Sequence, residues 1–267
     1  MSNDMGWRAA GRRMILKMRR KPASAANDDL SLTLSHREII RKKAFLRGVY
    51  EKFYNEIKRE ICCGGEGGRL VELGSGGGFV KEVIPGVITS DILRLPFVDV
   101  VFSASEMPFK DGAVDGFMML NAFHHLNDVA AFLRETSRCL KKGGRLVMIE
   151  PSNTPLARFI WKYLHGEPYD PAGGWKLPRG GPLSIANSAM PYIVFNRDSK
   201  RLEEEFPSLR LMSVKTHTPF MYLLSGGMSY GQLLPSFAMN IVMRVDDALK
   251  PFYDLLGMFV TVKMEKI

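Results

Sequence analysis

Cysteine is scarce: Cys62, Cys63 and Cys139 are the only three in 267 residues. That is too few for a disulfide framework, and no His/Cys spacing of the zinc-binding kind occurs. The thiols are read as free in a reducing compartment, and no metal is expected. No apolar run approaches the ~18–20 residues that span a bilayer. Met14-Ile15-Leu16 is shorter than the core of about 7–15 residues of a signal peptide, so the expected location is the cytosol. Positive charge is missing as an excess from most of the chain. Of the net +9, residues 1–62 carry 15 Lys/Arg against 7 Asp/Glu, and the remainder carries 22 against 21. A broad nucleic-acid surface on the body is thereby excluded. The basic residues Arg8, Arg12, Arg13, Lys17, Arg19, Arg20 and Lys21 flank Met14, Ile15, Leu16 and Met18. Such a pattern suits peripheral contact with an anionic membrane through residues 8–21, and equally a solvated tail.

What is present is 46% apolar and 24% charged residues, the composition of one globular α/β domain with extensions. Residues 1–34 read as a flexible basic arm. A helix is expected over 35–62, opened by the capping box Ser35-His36-Arg37-Glu38 and stopped at Gly64-Gly65. Its apolar stripe runs through Ile39, Leu46, Val49, Phe53, Ile57 and Ile61. Strands are then expected at 69–73, 87–90, 98–102, 116–120 and 145–149, with a helix over 128–140 and another opened by Thr154 and Pro155. Strands separated by crossovers imply a parallel sheet. Residues 166–190 are rich in Gly and Pro and read as a long loop, of the kind that is functional or disordered. A strand at 210–215, a helix over 237–256 bent at Pro251 and a last strand at 259–264 complete the pattern.

Val71-Glu72-Leu73-Gly74-Ser75-Gly76-Gly77-Gly78 sits at a strand's carboxyl end, where open parallel sheets bind ligands. A dinucleotide fingerprint would need a third glycine where Phe79 stands. No Gly-Lys-Ser/Thr follows, so a triphosphate loop is excluded.

This run resembles the first motif of class I S-adenosylmethionine-dependent methyltransferases, and further segments match that family in order. Asp91 closes the second strand. Glu106 to Asp111 resembles the Leu-Pro-Phe-x-Asp segment of the type-11 subgroup. Asp115 to Leu126 resembles the fourth-strand motif, and Leu140 to Val147 the passage into the fifth strand. The resemblance covers about 80 residues. It implies a Rossmann-like α/β fold: a mostly parallel seven-stranded sheet with an antiparallel last strand, an N-terminal helix and an inserted lid. The implied layout is a methyltransferase domain over 35–267, with a cofactor core at 69–150 and acceptor segments at 151–190 and 219–257.

The resemblance also implies S-adenosylmethionine as cofactor and a role for each matching position. Gly74, Gly76 and Gly78 would underlie the methionyl part and ribose, Glu72 would organise the ammonium, and Asp91 would accept the ribose hydroxyls. Ser75, Ile92 and Asn121 would lie beside them. Ser103 stands where the family carries an acid that reads adenine, leaving the Ala104 amide for the ring. His124, His125 and Glu150 are the candidate bases for an acceptor hydroxyl, since each follows a strand at the active edge. His165, Glu167, Tyr169, Asp170 and Trp175 are the candidate acceptor-binding residues. The expected acceptor is a small or lipid-linked biosynthetic molecule. The alternatives are a non-catalytic binding protein of the same fold, or an RNA methyltransferase. Against the last, Leu120-Asn121-Ala122-Phe123 replaces the Asn/Asp-Pro-Pro-Tyr motif of base-amino methylation.

Overall fold

In the computed structural model the described residues are 25–61, 68–178, 180–181 and 185–267. The strands are β1 (Leu70–Leu73), β2 (Ile88–Asp91), β3 (Val100–Val101), β4 (Val114–Leu120), β5 (Leu140–Pro151), β6 (Leu209–His217) and β7 (Phe259–Lys266). They form one sheet in the order β3-β2-β1-β4-β5-β7-β6. β1 to β5 pair in parallel, and β7 runs antiparallel to both β5 and β6. The central strand β4 is apolar and buried along most of its length because helices cover both faces. From β1 the chain winds outward to β2 and β3, then returns to β4 on the other side of β1. That reversal opens a crevice at the carboxyl ends of β1 and β4.

One face is covered by α1 (Ala25–Lys42), α2 (Ala44–Ile61), α4 (Pro155–Tyr163) and α6 (Met221–Ser225). Phe45, Phe53, Ile57 and Trp161 are buried there with Ile149 and Phe259, each worth about 1.5–3 kcal/mol in water-excluded surface. The other face holds α3 (Val129–Cys139), a helical run over Met190–Tyr192 and Ile193–Arg197, and α5 (Ser199–Glu205). Phe117, Phe132, Phe195 and Trp175 pack there. Asp128 caps α3 by accepting the Ala131 amide at 2.9 Å, and Thr154 caps α4 ahead of Pro155. α7 (Met239–Ala248) and α8 (Tyr253–Leu256) precede β7.

The helix expected to open at Ser35 instead starts at Ala25, so residues 25–34 belong to α1 rather than to an arm. Within it the Thr33 hydroxyl donates to the Asp29 carbonyl at 2.8 Å, satisfying a polar side chain inside the helix. Ser35 is thus interior and caps nothing. The stripe is divided at Lys43, yet the Lys43 and Arg47 amides keep their bonds to residues four back, at 3.1 and 2.9 Å. The expected helix over 237–256 is likewise broken, with α7 and α8 separated by a short turn at Lys250–Phe252 that holds Pro251. Residues 1–24, with the basic membrane motif at 8–21, lie outside the described residues, as do Cys62, Cys63 and Gly64-Gly65.

Candidate active site

Gly74 adopts φ +68°, and a β-carbon there would come within 2.7 Å of the Ala122 side chain. The turn can therefore follow β1 only as glycine. Asp91 ends β2 and accepts the Gly76 amide at 2.8 Å and the Leu93 amide at 2.9 Å. The Ile92 amide bonds to the Asp91 carboxylate as well, and the carboxylate keeps lone-pair capacity for a ligand. Glu72, 2% exposed, lies one residue before the end of β1. Burial raises its carboxyl to about 7, with the nearby Ser75 and Tyr54 hydroxyls drawing it partly back and Asp91 adding to the rise. Neither hydroxyl satisfies Glu72 Oε2, which has no hydrogen-bond partner, and neither Ser75 Oγ nor Asn121 Oδ1 has one. Lys52 Nζ, Thr136 Oγ1 and Ser188 Oγ also lack a hydrogen-bond partner, but Glu72, Ser75 and Asn121 gather at the carboxyl edge of the sheet, where a polar ligand would meet them together. Asn121 takes φ +52°, an uncommon backbone for a non-glycine residue.

Ile92 is exposed beside Asp91. Ser103 is engaged locally: its hydroxyl accepts the Ser105 amide at 3.3 Å and its backbone bridges to Glu106. Ala104 packs half-buried on the core. Sequence reasoning missed what α1 and α2 bring to the loop. Arg37 donates to the Gly78 carbonyl and, at 3.4 Å, to that of Gly77. Its guanidinium lies 3.9 Å over the Phe97 ring. A β-carbon at Gly77 would sit 2.7 Å from the Arg37 backbone nitrogen, so α1 rests directly on the loop. Tyr50 and Tyr54 of α2 are buried behind it.

Across the crevice, a short turn over Phe123–His125 sets the two imidazoles side by side, with ring centroids 4.2 Å apart. Glu150 Oε1 accepts the Ala122 and Phe123 amides, both at 2.8 Å, while Oε2 meets His124 Nδ1 at 2.6 Å. His124 Nε2 lies 3.3 Å from Glu167, and His125 Nε2 3.9 Å from it. Burial opposes charge on His124, yet Glu150 and Glu167 together raise its pKa to about 10. Burial and the charge of His124 hold His125 below its ordinary value. Burial also works against the Glu167 carboxylate, but the three neighbouring imidazoles hold its pKa well below the usual range.

Glu150 is fully buried, with both oxygens committed, so it is a positioning group for the turn and not an accessible base. His165 and Glu167 join His124 and His125. Tyr169 and Asp170 line a neighbouring groove of about 560 Å³ with Arg158, Phe159, Lys162, Tyr163 and Pro171. Trp175 is not brought to this region. It is 3% exposed, donates from Nε1 to Asp198 at 2.9 Å and stacks on Phe206. The loop expected as a lid is stitched down: the Val129 amide bonds to Trp175, that of Leu177 to Asn127 and that of Asn187 to His124.

The parallel strands, the glycine loop after β1 and the acid ending β2 all fall in the segment that is similar to methyltransferase domains. Residues 71–148 match the family model described as methyltransferase domain. The uncharacterized protein YafE of Escherichia coli (strain K12) is 35% identical over 106 residues, 39% of this chain. The chain spans about half, 51%, of that relative's length. Among solved structures, geranyl diphosphate C-methyltransferase from Streptomyces coelicolor A3(2) has a TM-score of 0.48 at 16% identity, over 86% of this chain and 82% of that one. A methyltransferase from Thermotoga maritima, described as a possible histamine N-methyltransferase, has 0.49 at 17%, over 82% and 92%.

Proposed function

We propose that the chain transfers a methyl group from S-adenosylmethionine to a small or lipid-linked acceptor docked against His124, His125 and Glu167. The observation that carries this reading is the trio of orphaned acceptors, Glu72 Oε2, Ser75 Oγ and Asn121 Oδ1, around the glycine loop. They fit the cofactor: Glu72 suits an ammonium, and the spare lone pairs of Asp91 suit a ribose diol. When bound, the cofactor supplies a methyl group already activated by a sulfonium. The chain's own contribution is then chiefly positioning, worth on the order of 7–11 kcal/mol when reactants are held in line. Gly74 and Gly76 let the ligand approach the backbone, and Arg37 holds the loop under α1. An acceptor hydroxyl would be held beside the His124–His125–Glu167 cluster, whose geometry Glu150 maintains.

A lipid-linked acceptor is favoured by the surface beyond the groove. Phe159 and Tyr163 of α4, Phe237, Ile241 and Val245 in and before α7, and Phe252 and Leu255 at α8 are exposed. Where such side chains adjoin, they supply apolar surface for a lipid-linked acceptor. No helix among the described residues is long and apolar enough to cross a membrane. The test is incubation of the full chain with cell extract and methyl-labelled cofactor, followed by partition into organic and aqueous phases. Label in an organic-phase product is expected; absence of label from both phases would leave a binding protein of this fold.

A further inference from the structure

We propose that His124 Nε2, His125 Nε2 and the Glu167 carboxylate form a site for one divalent first-row transition ion of the zinc or iron type. The three ligand atoms lie within 4.8 Å of one another. His124 Nε2 lies 3.3 Å from one Glu167 carboxylate oxygen, and His125 Nε2 lies 3.9 Å from the other. Ligands on a tetrahedral zinc at ~2.0–2.1 Å lie about 3.3 Å apart, so side-chain shifts of about 1.5 Å or less close the set.

Proximity alone would describe an ion pair; the outer atoms say more. A metal-binding imidazole donates its other ring N–H to a carboxylate or carbonyl, which fixes the tautomer and aims the lone pair at the ion. Both imidazoles have that arrangement here. Glu150 Oε2 takes His124 Nδ1 at 2.6 Å, and the Ile185 carbonyl takes His125 Nδ1 at 2.9 Å. Glu150 is itself immobilised by the Ala122 and Phe123 amides. Both Nε2 atoms are thereby left facing one carboxylate. Two nitrogens and one carboxylate suit zinc, iron or cobalt, whereas magnesium and calcium prefer all-oxygen sets. No sequence motif announces the site, because its ligands are some 40 residues apart and meet only when the loop carrying Glu167 folds back.

Three protein ligands leave a coordination position for water or an acceptor oxygen. This catalytic consequence rests on the methyl-transfer reading; ion binding does not. An acceptor hydroxyl on the ion would release its proton to solvent near neutral pH. The oxygen's electron pair would then form the new C–O bond, as the breaking C–S bond leaves its pair on sulfur.

The test uses full-length protein carrying Cys62→Ser and Cys63→Ser, so that thiols do not contribute, stripped with chelator and titrated with cobalt(II). About one ion per chain is expected, with visible d–d absorption that zinc removes and excess magnesium leaves unchanged. His125→Asn and Glu167→Gln should each weaken cobalt binding by about 10–100-fold while S-adenosylhomocysteine affinity is retained. Glu150→Gln, which touches no ion, should alter the cobalt spectrum and weaken binding about tenfold or more. No saturable cobalt binding in folded protein, or binding that His125→Asn and Glu167→Gln leave unchanged, overturns the site. Stoichiometric cobalt binding without methyl transfer supports the site and counts against the methyl-transfer reading instead.

Discussion

The Asp91 carboxylate accepts the Gly76 amide at 2.8 Å, so the acid that ends β2 and the loop that follows β1 hold each other in place. Removing it should act twice. Asp91→Ala leaves the Gly76 and Leu93 amides without their acceptor and takes away the proposed ribose contact. Affinity for S-adenosylhomocysteine should fall by at least ~1.5–3 kcal/mol, as for a hydrogen bond to a charged group. Thermal stability should fall with it. Calorimetry on the folded variant decides; an unchanged dissociation constant removes Asp91 from the cofactor site.

Glu72 offers a pH signature. Its folded-state carboxyl titrates near 7, above an unfolded value of about 4.3, so folding favours the neutral form. The residue therefore costs nothing below about pH 4, and the cost grows as pH rises toward 7, then levels off. At ~1.36 kcal/mol per unit it amounts to about 4 kcal/mol at most. Cofactor-free Glu72→Gln should consequently have a flatter melting profile between pH 5 and 8 than the parent. An ammonium placed beside Glu72 favours its charged form, so cofactor binding near pH 6.5 should release a proton. Calorimetry in buffers of different ionisation enthalpy measures that release, and a buffer-independent enthalpy would argue against the pairing.

How much could be read beforehand follows from the range of the interactions. β1, β2 and β4 were legible because each closes on glycine, acid or asparagine, and the same boundary residues define the cofactor edge, whereas β3 shrinks to Val100–Val101 and β5 begins at Leu140, five residues before the expected start. The start of α1 was not, because Leu30-Ser31-Leu32-Thr33-Leu34 alternates without a helical stripe, and in the fold Leu34 is exposed while Thr33 is buried. Arg37 reaches Gly78 across 41 residues, and Glu167 reaches His124 only through the folded-back loop. Neither distance leaves a local signal. Trp175 shows the opposite error, since an aromatic residue in a glycine-rich loop reads the same whether it covers a substrate or fills a core.

Trp175→Ala is accordingly a stability variant. The change empties the space between Phe206 and the Arg201 guanidinium, which lies 4.2 Å from the indole ring, and orphans one Asp198 contact. The cost should be about 3–5 kcal/mol. Urea denaturation would read it directly, while S-adenosylhomocysteine affinity measured well below the melting point should stay close to the parent value. A variant of normal stability with impaired turnover would return Trp175 to the acceptor site.

The apolar outer surface carries the last prediction. Phe237 is 81% exposed and Ile241 62%, and the two are four residues apart, close to one helical turn. Neither side chain fills a core, so Phe237→Ser with Ile241→Ser should change stability by no more than about 0.5 kcal/mol. If the acceptor is presented by a lipid surface, the double variant loses the apolar contact that brings the crevice to it. Label transfer into the organic-phase product should then fall at least about tenfold, a loss of ~1.4 kcal/mol that one or two buried side chains readily supply. S-adenosylhomocysteine affinity should not move, because the glycine loop and Asp91 are untouched. Equal labelling by parent and double variant, with both folded, would leave the acceptor a freely diffusing small molecule.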